Sequence, residues 1–308
     1  MPKIPQFRVE SIHTGVAEYI PDGINMIHAP EQWAKGNEGE GIVIAIIDTG
    51  VDYNHPDLKD NIIGGKDFTG KGDFMDGNGH GTHVAGTICA ANSGSGIVGV
   101  APKAKILALK ALDDEGSGSF TWITFAIQYA TEQKVNVISM SLGGEVDYPP
   151  MHEAIKEAKK AGIIVVCAAG NEGDGNTNTE EFSFPGAYPE VIEVGAVDFQ
   201  KNLAPFSNTN HEVDILAPGV QILSTYPGGG YAKLSGTSMA TPHVAGAVAL
   251  LKSSNIENYK NGDQCLDVTP KQTLPEEPKP KKKESLVKKL LRKLLKLRLI
   301  RVLGSLFD

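Results

Sequence analysis

The sequence contains few cysteines and no long uncharged hydrophobic run. Cys89, Cys167 and Cys265 are odd in number and far apart, which excludes a disulfide framework and the paired spacing of a zinc site. We therefore expect a reducing compartment, the cytoplasm. No uncharged apolar stretch of about 18 residues is present, so we expect no transmembrane helix. Residues 1–20 also lack the apolar centre of a secretory signal.

The composition is that of a globular chain with an unusual charge distribution. Of the 308 residues, 41% are hydrophobic and 21% are charged, which suits one large domain with appendages. The net charge of −8 is unevenly spread, because residues 279–301 hold eleven of the 29 basic residues and one acid. The rest of the chain contains 18 basic and 36 acidic residues, so the basic segment and the body carry net charges of opposite sign.

Apolar runs and helical periodicity alternate along most of the chain. The β-branched run 42–47 predicts a central parallel strand, and it ends in Asp48 and a glycine turn. Further strands are predicted over 105–111, 135–140, 163–168 and 191–197, and helices from near His83, over 120–132, over 151–161 and from Ser238. This alternation predicts an α/β fold, a doubly wound and mostly parallel sheet with helices on both faces.

Polar side chains gather at one edge of this predicted sheet. Asp48 and Asn171 directly follow strands, while His83 and Ser238 begin helices that start at the same edge. An acid, a histidine, a serine and an amide in one cleft suit nucleophilic catalysis. In this interpretation Ser238 attacks, His83 transfers its proton, Asp48 orients the imidazole, and Asn171 binds the oxyanion with the Ser238 N–H.

Each of these residues also has a simpler structural explanation. Asp48 could cap a turn, His83 could bond to a loop carbonyl, and Ser238 could be an ordinary serine at a helix start. His80 and His83 lie three residues apart, but the His-Glu-x-x-His pattern of a zinc protease is absent. We therefore expect no catalytic metal.

Five motifs together resemble the subtilisin-type serine proteases, and the intracellular bacterial subtilisins in particular. They are Asp48-Thr49-Gly50, His80-Gly81-Thr82-His83, Ser141-Leu142-Gly143-Gly144, Ala168-Ala169-Gly170-Asn171 and Gly236-Thr237-Ser238-Met239-Ala240. The resemblance covers roughly residues 24–252. It implies a subtilisin-like fold and a serine endopeptidase with an acyl-enzyme on Ser238, broad apolar-leaning specificity and a role in intracellular protein turnover. The rivals are a silent binding module, which the four intact site residues oppose, and a structural protein, which leaves the motifs unexplained.

The resemblance also implies where a polypeptide substrate binds. An extended peptide would lie between the backbone of Gly116-Ser117-Gly118 and that of Ser141-Leu142-Gly143. The side chain before the scissile bond would enter a pocket lined by Gly143, Ala168, Gly170, Glu172 and Ser183. A second, apolar pocket would be formed by Phe120, Ile123 and Leu142, for which core packing is the alternative.

Calcium is the one cofactor that the resemblance implies. Asp57 resembles a calcium ligand of the family, and the carbonyls of Ala91, Ser95 and Ile97 would complete a set of oxygen ligands. Ser93 stands where the family usually has an asparagine, which would weaken the site. A second, weaker cation site would use the carbonyls of Gly186, Tyr188 and Val191.

The two ends of the chain depart from the family pattern. Residues 1–23 form an N-terminal extension, which is either an inhibitory propeptide or a packing terminus. Residues 24–252 are the catalytic domain, and 253–284 form a Pro/Lys/Glu-rich linker.

The end of the chain, residues 285–308, is predicted to be a basic amphipathic helix. Its leucines would dock on the body, on a second subunit in a homodimer, or on an anionic membrane surface. Nucleic acid is the weaker partner, because the helix lacks aromatic side chains for stacking.

Overall fold

Two β-sheets form the centre of the computed structural model, which describes residues 1–4, 8–13, 18–251 and 265–269. The strands are β1 (Arg8–His13), β2 (Val43–Asp48), β3 (Ile62–Asp67), β4 (Lys105–Lys110), β5 (Val137–Met140), β6 (Ile164–Ala168), β7 (Ile192–Val197), β8 (Val213–Pro218), β9 (Ile222–Tyr226) and β10 (Gly230–Ser235). Seven of them form a parallel sheet in the order β3-β4-β2-β5-β6-β7-β8. Strands β1, β10 and β9 form a smaller antiparallel sheet in that order.

The helices cover both faces of the parallel sheet, which confirms the α/β prediction. They are α1 (Asp22–Met26), α2 (Ala29–Trp33), α3 (His80–Cys89), α4 (Phe120–Glu132), α5 (Pro149–Lys160) and α6 (Thr237–Leu250). Helix α4 has its predicted bounds, with the side chain of Ser119 accepting from Trp122 N as an N-cap. Helix α3 begins at His80, three residues before the predicted start, and this difference decides the site described below.

The core has one layer on each face of the parallel sheet. Helices α3 and α6 pack against each other on one face, and α4 and α5 pack together on the other. Every residue of α6 is buried, as its small apolar composition predicts. A side chain at Gly246 would collide with Val100, so glycine permits this close approach.

Several strands gave no sequence signal because they lack a continuous apolar run. Strand β3 is the edge strand of the parallel sheet, contains Gly64 and Gly65, and is half-buried at most positions. Strands β9 and β10 form a hairpin in which Ser224, Thr225 and Lys233 interrupt the apolar residues. An edge position in β3 and these polar side chains in the hairpin remove the continuous apolar run that marks a central parallel strand.

The body of the protein extends beyond the predicted domain boundary at residue 252. Residues 265–269 pack on it, with Leu266 N donating to Leu216 O at 2.7 Å and Val268 N donating to Ile27 O at 2.9 Å. Both side chains are buried in the core, so a linker over 253–284 does not describe this stretch. The predicted basic helix over 285–308 lies outside the described residues. Among the described helices, none is long and apolar enough to cross a membrane.

Candidate active site

Asp48 and His80 form a buried hydrogen-bonded pair at the carboxyl edge of the sheet. Asp48 is the last residue of the central strand β2, and His80 is the first residue of α3. His80 Nδ1 donates to Asp48 Oδ1 at 2.8 Å, and Thr49 N donates to the same oxygen at 2.7 Å. The carboxylate of Asp48 thus fixes the proton of His80 on Nδ1 and the orientation of the ring.

His83 was predicted as the histidine of this pair, and that prediction is wrong. His83 Nε2 lies 2.9 Å from Ile222 O and 3.1 Å from Ala232 O, so the ring ties α3 to the antiparallel sheet. Burial lowers the pKa of His83 to about 3 and keeps the ring neutral. The physical reason is the earlier start of α3, which brings His80 to the sheet edge and places His83 one turn deeper.

Ser238 lies in the first turn of α6, as predicted from its place at the start of a helix. Its Oγ donates to Ser141 O at 3.2 Å, and Ser141 Oγ donates to Ser238 O at 2.9 Å. Ser141 follows β5, which is the neighbour of β2 in the sheet, so Ser238 lies at the same edge as Asp48 and His80. This edge also holds the end of β6.

Asn171 follows β6 and has its amide orientation fixed by the neighbouring helix. Asn171 Oδ1 accepts from Thr237 N and from Thr237 Oγ1, both at 2.8 Å. The Nδ2 group is therefore on the side of Gly236, where a side chain at 236 would approach it to 3.0 Å. Thr237 was not singled out from the sequence, although its place beside Ser238 in the motif is a usable signal.

The two predicted substrate rims lie on either side of the chain's own N-terminal residues. Lys3 N donates to Gly143 O and Gly143 N donates to Lys3 O, each at 3.1 Å. On the other rim, Ile4 N donates to Gly116 O at 2.9 Å and Gly118 N donates to Pro2 O at 3.0 Å. Lys3 also forms an antiparallel bridge with Ser117. The cleft therefore binds an extended backbone through hydrogen bonds to main-chain atoms.

The predicted side-chain pockets are partly core and partly rim. Ile123 and Leu142 are fully buried in the same hydrophobic cluster as Ile4, while Phe120 is half-buried and stacks on Tyr148 at 5.1 Å. Ser183 Oγ is so close to Gly143 that a Cβ there would collide with it.

Glu172 and Ala168 occupy the remaining wall. Glu172 Oε2 accepts from Asn171 N at 3.0 Å and from Asn208 Nδ2 at 3.2 Å, beside Gly170. Ala168, the last residue of β6, is buried, and its carbonyl oxygen lies beside Gly186. The residues predicted to surround the side chain before the scissile bond are thus neighbours.

The predicted calcium loop lies beside two carboxylates. Asp57 Oδ2 accepts from Ile97 N and from Tyr231 OH, both at 2.9 Å. Glu18 Oε2 accepts from Gly94 N at 2.6 Å and was not singled out from the sequence. Within the loop, Ser93 Oγ donates to Ser95 O at 3.3 Å.

No cluster of three or more His, Cys, Asp or Glu side chains suited to a metal occurs in the described part of the chain. Any cation at the loop would therefore depend on backbone carbonyls, such as that of Ala91 at its start. At the second predicted site, the carbonyl of Tyr188 accepts from Val191 N at 3.2 Å.

Comparisons with known proteins identify the family of this chain. The model of the Subtilase family matches residues 39–283. The major intracellular serine protease of Bacillus subtilis (strain 168) is 58% identical over 247 residues, which are 78% of this chain and 77% of that protein. An intracellular serine protease of Paenibacillus polymyxa is 57% identical over 238 residues, 76% of this chain and 73% of that protein. Subtilisin E of Bacillus subtilis is 44% identical over 257 residues, 82% of this chain and 66% of that protein.

Proposed function

Because this chain belongs to the subtilase family and is a serine endopeptidase, we propose that it cleaves peptide bonds through an acyl-enzyme on Ser238. The observation that carries the proposal is the buried hydrogen bond from His80 to Asp48, at the edge where α6 presents Ser238. The proposed catalytic set is Asp48, His80, Ser238 and Asn171.

The proton path follows from which nitrogen of His80 is engaged. Ser238 Oγ attacks the substrate carbonyl carbon while His80 Nε2 accepts the hydroxyl proton. Asp48 keeps the proton on Nδ1 and stabilises the imidazolium that forms. The imidazolium then protonates the leaving amine, and the peptide bond breaks. Water repeats the cycle on the ester, with His80 again acting first as base and then as acid.

The negative oxygen of the tetrahedral intermediate needs hydrogen-bond donors. Asn171 Nδ2 can supply one, because Thr237 fixes the orientation of the Asn171 amide. The Ser238 N–H can supply the other, because Ser238 lies in the first turn of α6 and the N-terminus of a helix carries positive partial charge. For the equivalent asparagine in subtilisin the contribution is about 10²–10³ in kcat.

Replacing each of the two histidines in turn tests whether His80 is the catalytic base. His80→Ala is expected to abolish fluorophosphonate labelling of Ser238 and to lower kcat drastically; the same loss in subtilisin is about 10⁶-fold. His83→Gln is the matched control, since the glutamine amide can still donate to Ile222 O or Ala232 O. It is expected to keep its labelling. Wild-type labelling of folded His80→Ala would refute the assignment.

The substrate class follows from the cleft. Its rims present backbone donors and acceptors of glycine-rich segments, which bind any extended polypeptide regardless of sequence. Ile4 packs in the cluster that contains Ile123 and Leu142, which favours an apolar residue at the corresponding substrate position. We therefore propose broad specificity with an apolar preference, tested by the cleavage pattern on a peptide library.

We further propose that the N-terminal extension inhibits the enzyme until it is removed, so that the chain is a zymogen. The support is geometric, because Pro2, Lys3 and Ile4 use the hydrogen-bonding atoms of Gly116, Gly118 and Gly143 that a substrate backbone would use. A substrate must displace this segment before it can reach Ser238.

A chain that begins at Glu18 is the direct test, since it loses the occluding segment and keeps the contact of Glu18 with the loop. We expect it to be labelled at Ser238 at least about tenfold faster than the full chain. Lys3→Pro removes the N–H that donates to Gly143 O and should act similarly, whereas Met1→Ala changes an exposed side chain and should not. Equal labelling rates for all four proteins would contradict inhibition.

We propose that Ca²⁺ binds at the loop beside Asp57. The donor set is all oxygen, with the carboxylates of Asp57 and Glu18 near the carbonyls of Ala91, Ser95 and Ile97, and such ligands suit a hard cation. Bound there, the ion would tie the segment before α1 to the body and stabilise the fold.

A binding measurement that does not depend on activity tests the calcium proposal. In the inactive Ser238→Ala protein, Ca²⁺ should raise Tm, and Glu18→Gln or Asp57→Asn should reduce that rise. Asp22→Asn is the control, because Asp22 lies nearby but accepts from Tyr19 OH on the surface. A calcium-induced rise that all variants share would place the ion elsewhere.

We also propose that the enzyme acts on proteins inside the cell, as the names of its two relatives at 57–58% identity say of those proteins. Cell fractionation with an antibody to the chain tests this. Docking of the basic C-terminal segment on the body, on a second copy or on an anionic membrane stays a prediction, as does a homodimer.

A further inference from the structure

Asp76 is a buried carboxylate that the proposed mechanism does not use. It lies four residues before His80, is 4% exposed and accepts five hydrogen bonds. Its Oδ1 accepts from Thr49 Oγ1, Asn78 N and Gly79 N, each at 2.9 Å. Its Oδ2 accepts from Thr82 N at 2.8 Å and from Thr82 Oγ1 at 2.6 Å.

All five partners of Asp76 are donors. Thr49 Oγ1 accepts from Gly81 N at 3.0 Å and Thr82 Oγ1 accepts from Asp52 N at 2.9 Å, so both hydroxyl protons are directed to Asp76. Burial raises the pKa of Asp76, and the hydrogen bonds from Gly79, Thr82 and Asn78 oppose that change. The arrangement therefore suits an ionised carboxylate.

One branch of the carboxylate controls the residue next to Asp48. Thr49 N donates to Asp48 Oδ1 at 2.7 Å, and Thr49 O accepts from the buried Lys110 Nζ at 2.5 Å. With Asp76 on the side-chain hydroxyl, Thr49 is held at its N–H, its carbonyl and its side chain. The N–H that orients the Asp48 carboxylate cannot move without breaking these bonds.

The same carboxylate also controls the first turn of α3. The N-cap residue of this helix is Gly79, which has no side chain, and the first N–H groups of a helix have no partner within it. Asp76 accepts from Gly79 N and Thr82 N and so caps the helix from three residues before the N-cap. His80 lies between these two anchored residues, so its backbone is held in place, and the backbone determines the direction in which the ring leaves the helix.

We propose that Asp76 is a positioning residue that sets the hydrogen bond from His80 to Asp48 by fixing the backbone beside both partners. This inference rests on the proposed roles of Asp48 and His80. An asparagine at 76 cannot substitute fully, because it replaces one acceptor oxygen by an NH₂ group that would face donors on either branch. The reacting atoms never touch Asp76.

Steady-state kinetics of Asp76→Asn separate positioning from binding. We expect kcat to fall by about 10–10²-fold, since misplacement of a catalytic group by about 1 Å has such an effect. KM should stay within about twofold, because no residue of the cleft rims at Gly116–Gly118 and at Gly143 donates to Asp76. The downfield proton resonance of His80 Nδ1 should weaken or shift, which a merely structural role would not require.

A half-buried carboxylate that also accepts backbone hydrogen bonds, away from the pair, provides the control. Asp198 accepts from Gln200 N, Asn202 N and Asn202 Nδ2 in the turn after β7. Asp198→Asn removes a turn-organising charge, as Asp76→Asn does, and is expected to leave kcat and the His80 resonance unchanged.

A second pair of variants covers the case in which Asp76→Asn does not fold. Thr49→Val removes the hydroxyl that joins Asp76 to Gly81 and should lower kcat by about tenfold or more. Thr49→Ser keeps the hydroxyl and should recover most of that loss. In the double variant with Asp76→Asn the losses should not add, because both changes break one network.

The inference is overturned if folded Asp76→Asn has wild-type kcat and the wild-type His80 resonance, or if Thr49→Val and Thr49→Ser are equally active. Failure of the proposed catalytic set would appear differently, as an active His80→Ala protein. The two results are therefore distinguishable in one series of variants.

Discussion

Glu193→Gln should stabilise the protein in a pH-dependent way. Glu193 lies in β7 and is 1% exposed. Its Oε1 accepts from Asn210 Nδ2 at 3.2 Å, whereas Oε2 has no hydrogen-bond partner within the described residues. Burial raises the pKa of Glu193 to about 8; the Asn210 hydrogen bond opposes this, and Asp214 and Glu212 add to it. An ionised carboxylate is thus disfavoured in the folded state.

The sign follows from proton binding in the two states. Between pH 4.5 and about 8 the unfolded chain has lost this proton while the folded protein keeps it, so the free energy of unfolding falls as pH rises. A pKa change from 4.5 to about 8 corresponds to roughly 5 kcal/mol at most, because each unit is about 1.4 kcal/mol. Water entry or local relaxation on ionisation would lower this figure.

Urea unfolding from pH 5 to pH 9 measures the effect, with Ser238→Ala as background to prevent self-cleavage. Glutamine keeps the acceptor for Asn210 and cannot ionise. The two proteins should be similar near pH 5, and the glutamine variant should be more stable by several kcal/mol at pH 9. Glu157→Gln, at an exposed glutamate of α5, should show no such divergence. Parallel curves for Glu193→Gln and its parent would refute the reasoning.

Three further predictions concern other parts of the body. A Cβ at Gly81 would collide with Gly50 O, so Gly81→Ala should lower both kcat and Tm, measured by steady-state kinetics and thermal unfolding. Burial raises the pKa of Cys167 well above its usual range, so thiol reagents should modify the half-buried Cys265 first, as peptide mass spectrometry would show. Leu266→Ala should cost about 2–4 kcal/mol in urea unfolding of the inactive background, because Leu266 is buried in the core.

The parallel sheet could be predicted because its central strands are buried on both faces. Strands β2, β4, β6 and β7 therefore appear as continuous β-branched or apolar runs, and the helices between them keep helical spacing. Strand β3 lies at an edge and has no fully buried position, while Ser224, Thr225 and Lys233 interrupt the apolar residues of the β9–β10 hairpin, so neither carries such a run. Incomplete burial in β3 and polar side chains in the hairpin are the physical reasons that these strands gave no signal.

The cleft and an inhibitory N-terminal extension were expected from the family resemblance, and no local pattern indicated which residues fill the cleft. Glycine at the rims, Gly116–Gly118 and Gly143, lets two backbones approach closely. Residues 2–4 are too short to show any periodicity, and their contact with these rims is long-range in sequence. The packing of residues 265–269 on the body was equally hard to predict, because the two buried side chains, Leu266 and Val268, lie within a polar stretch and form no periodic pattern.

The choice between His80 and His83 could not be made from the local sequence pattern, because it depends on where α3 begins. A capping side chain normally sits at the N-cap itself, directly before the helix. In α3 the N-cap is Gly79, and the cap comes from Asp76, three residues earlier. A helix start misplaced by three residues exchanges His80 for His83, which lie one turn apart on nearly the same face. An acid three residues before a glycine N-cap is therefore the signal that identifies the first histidine as the partner of Asp48.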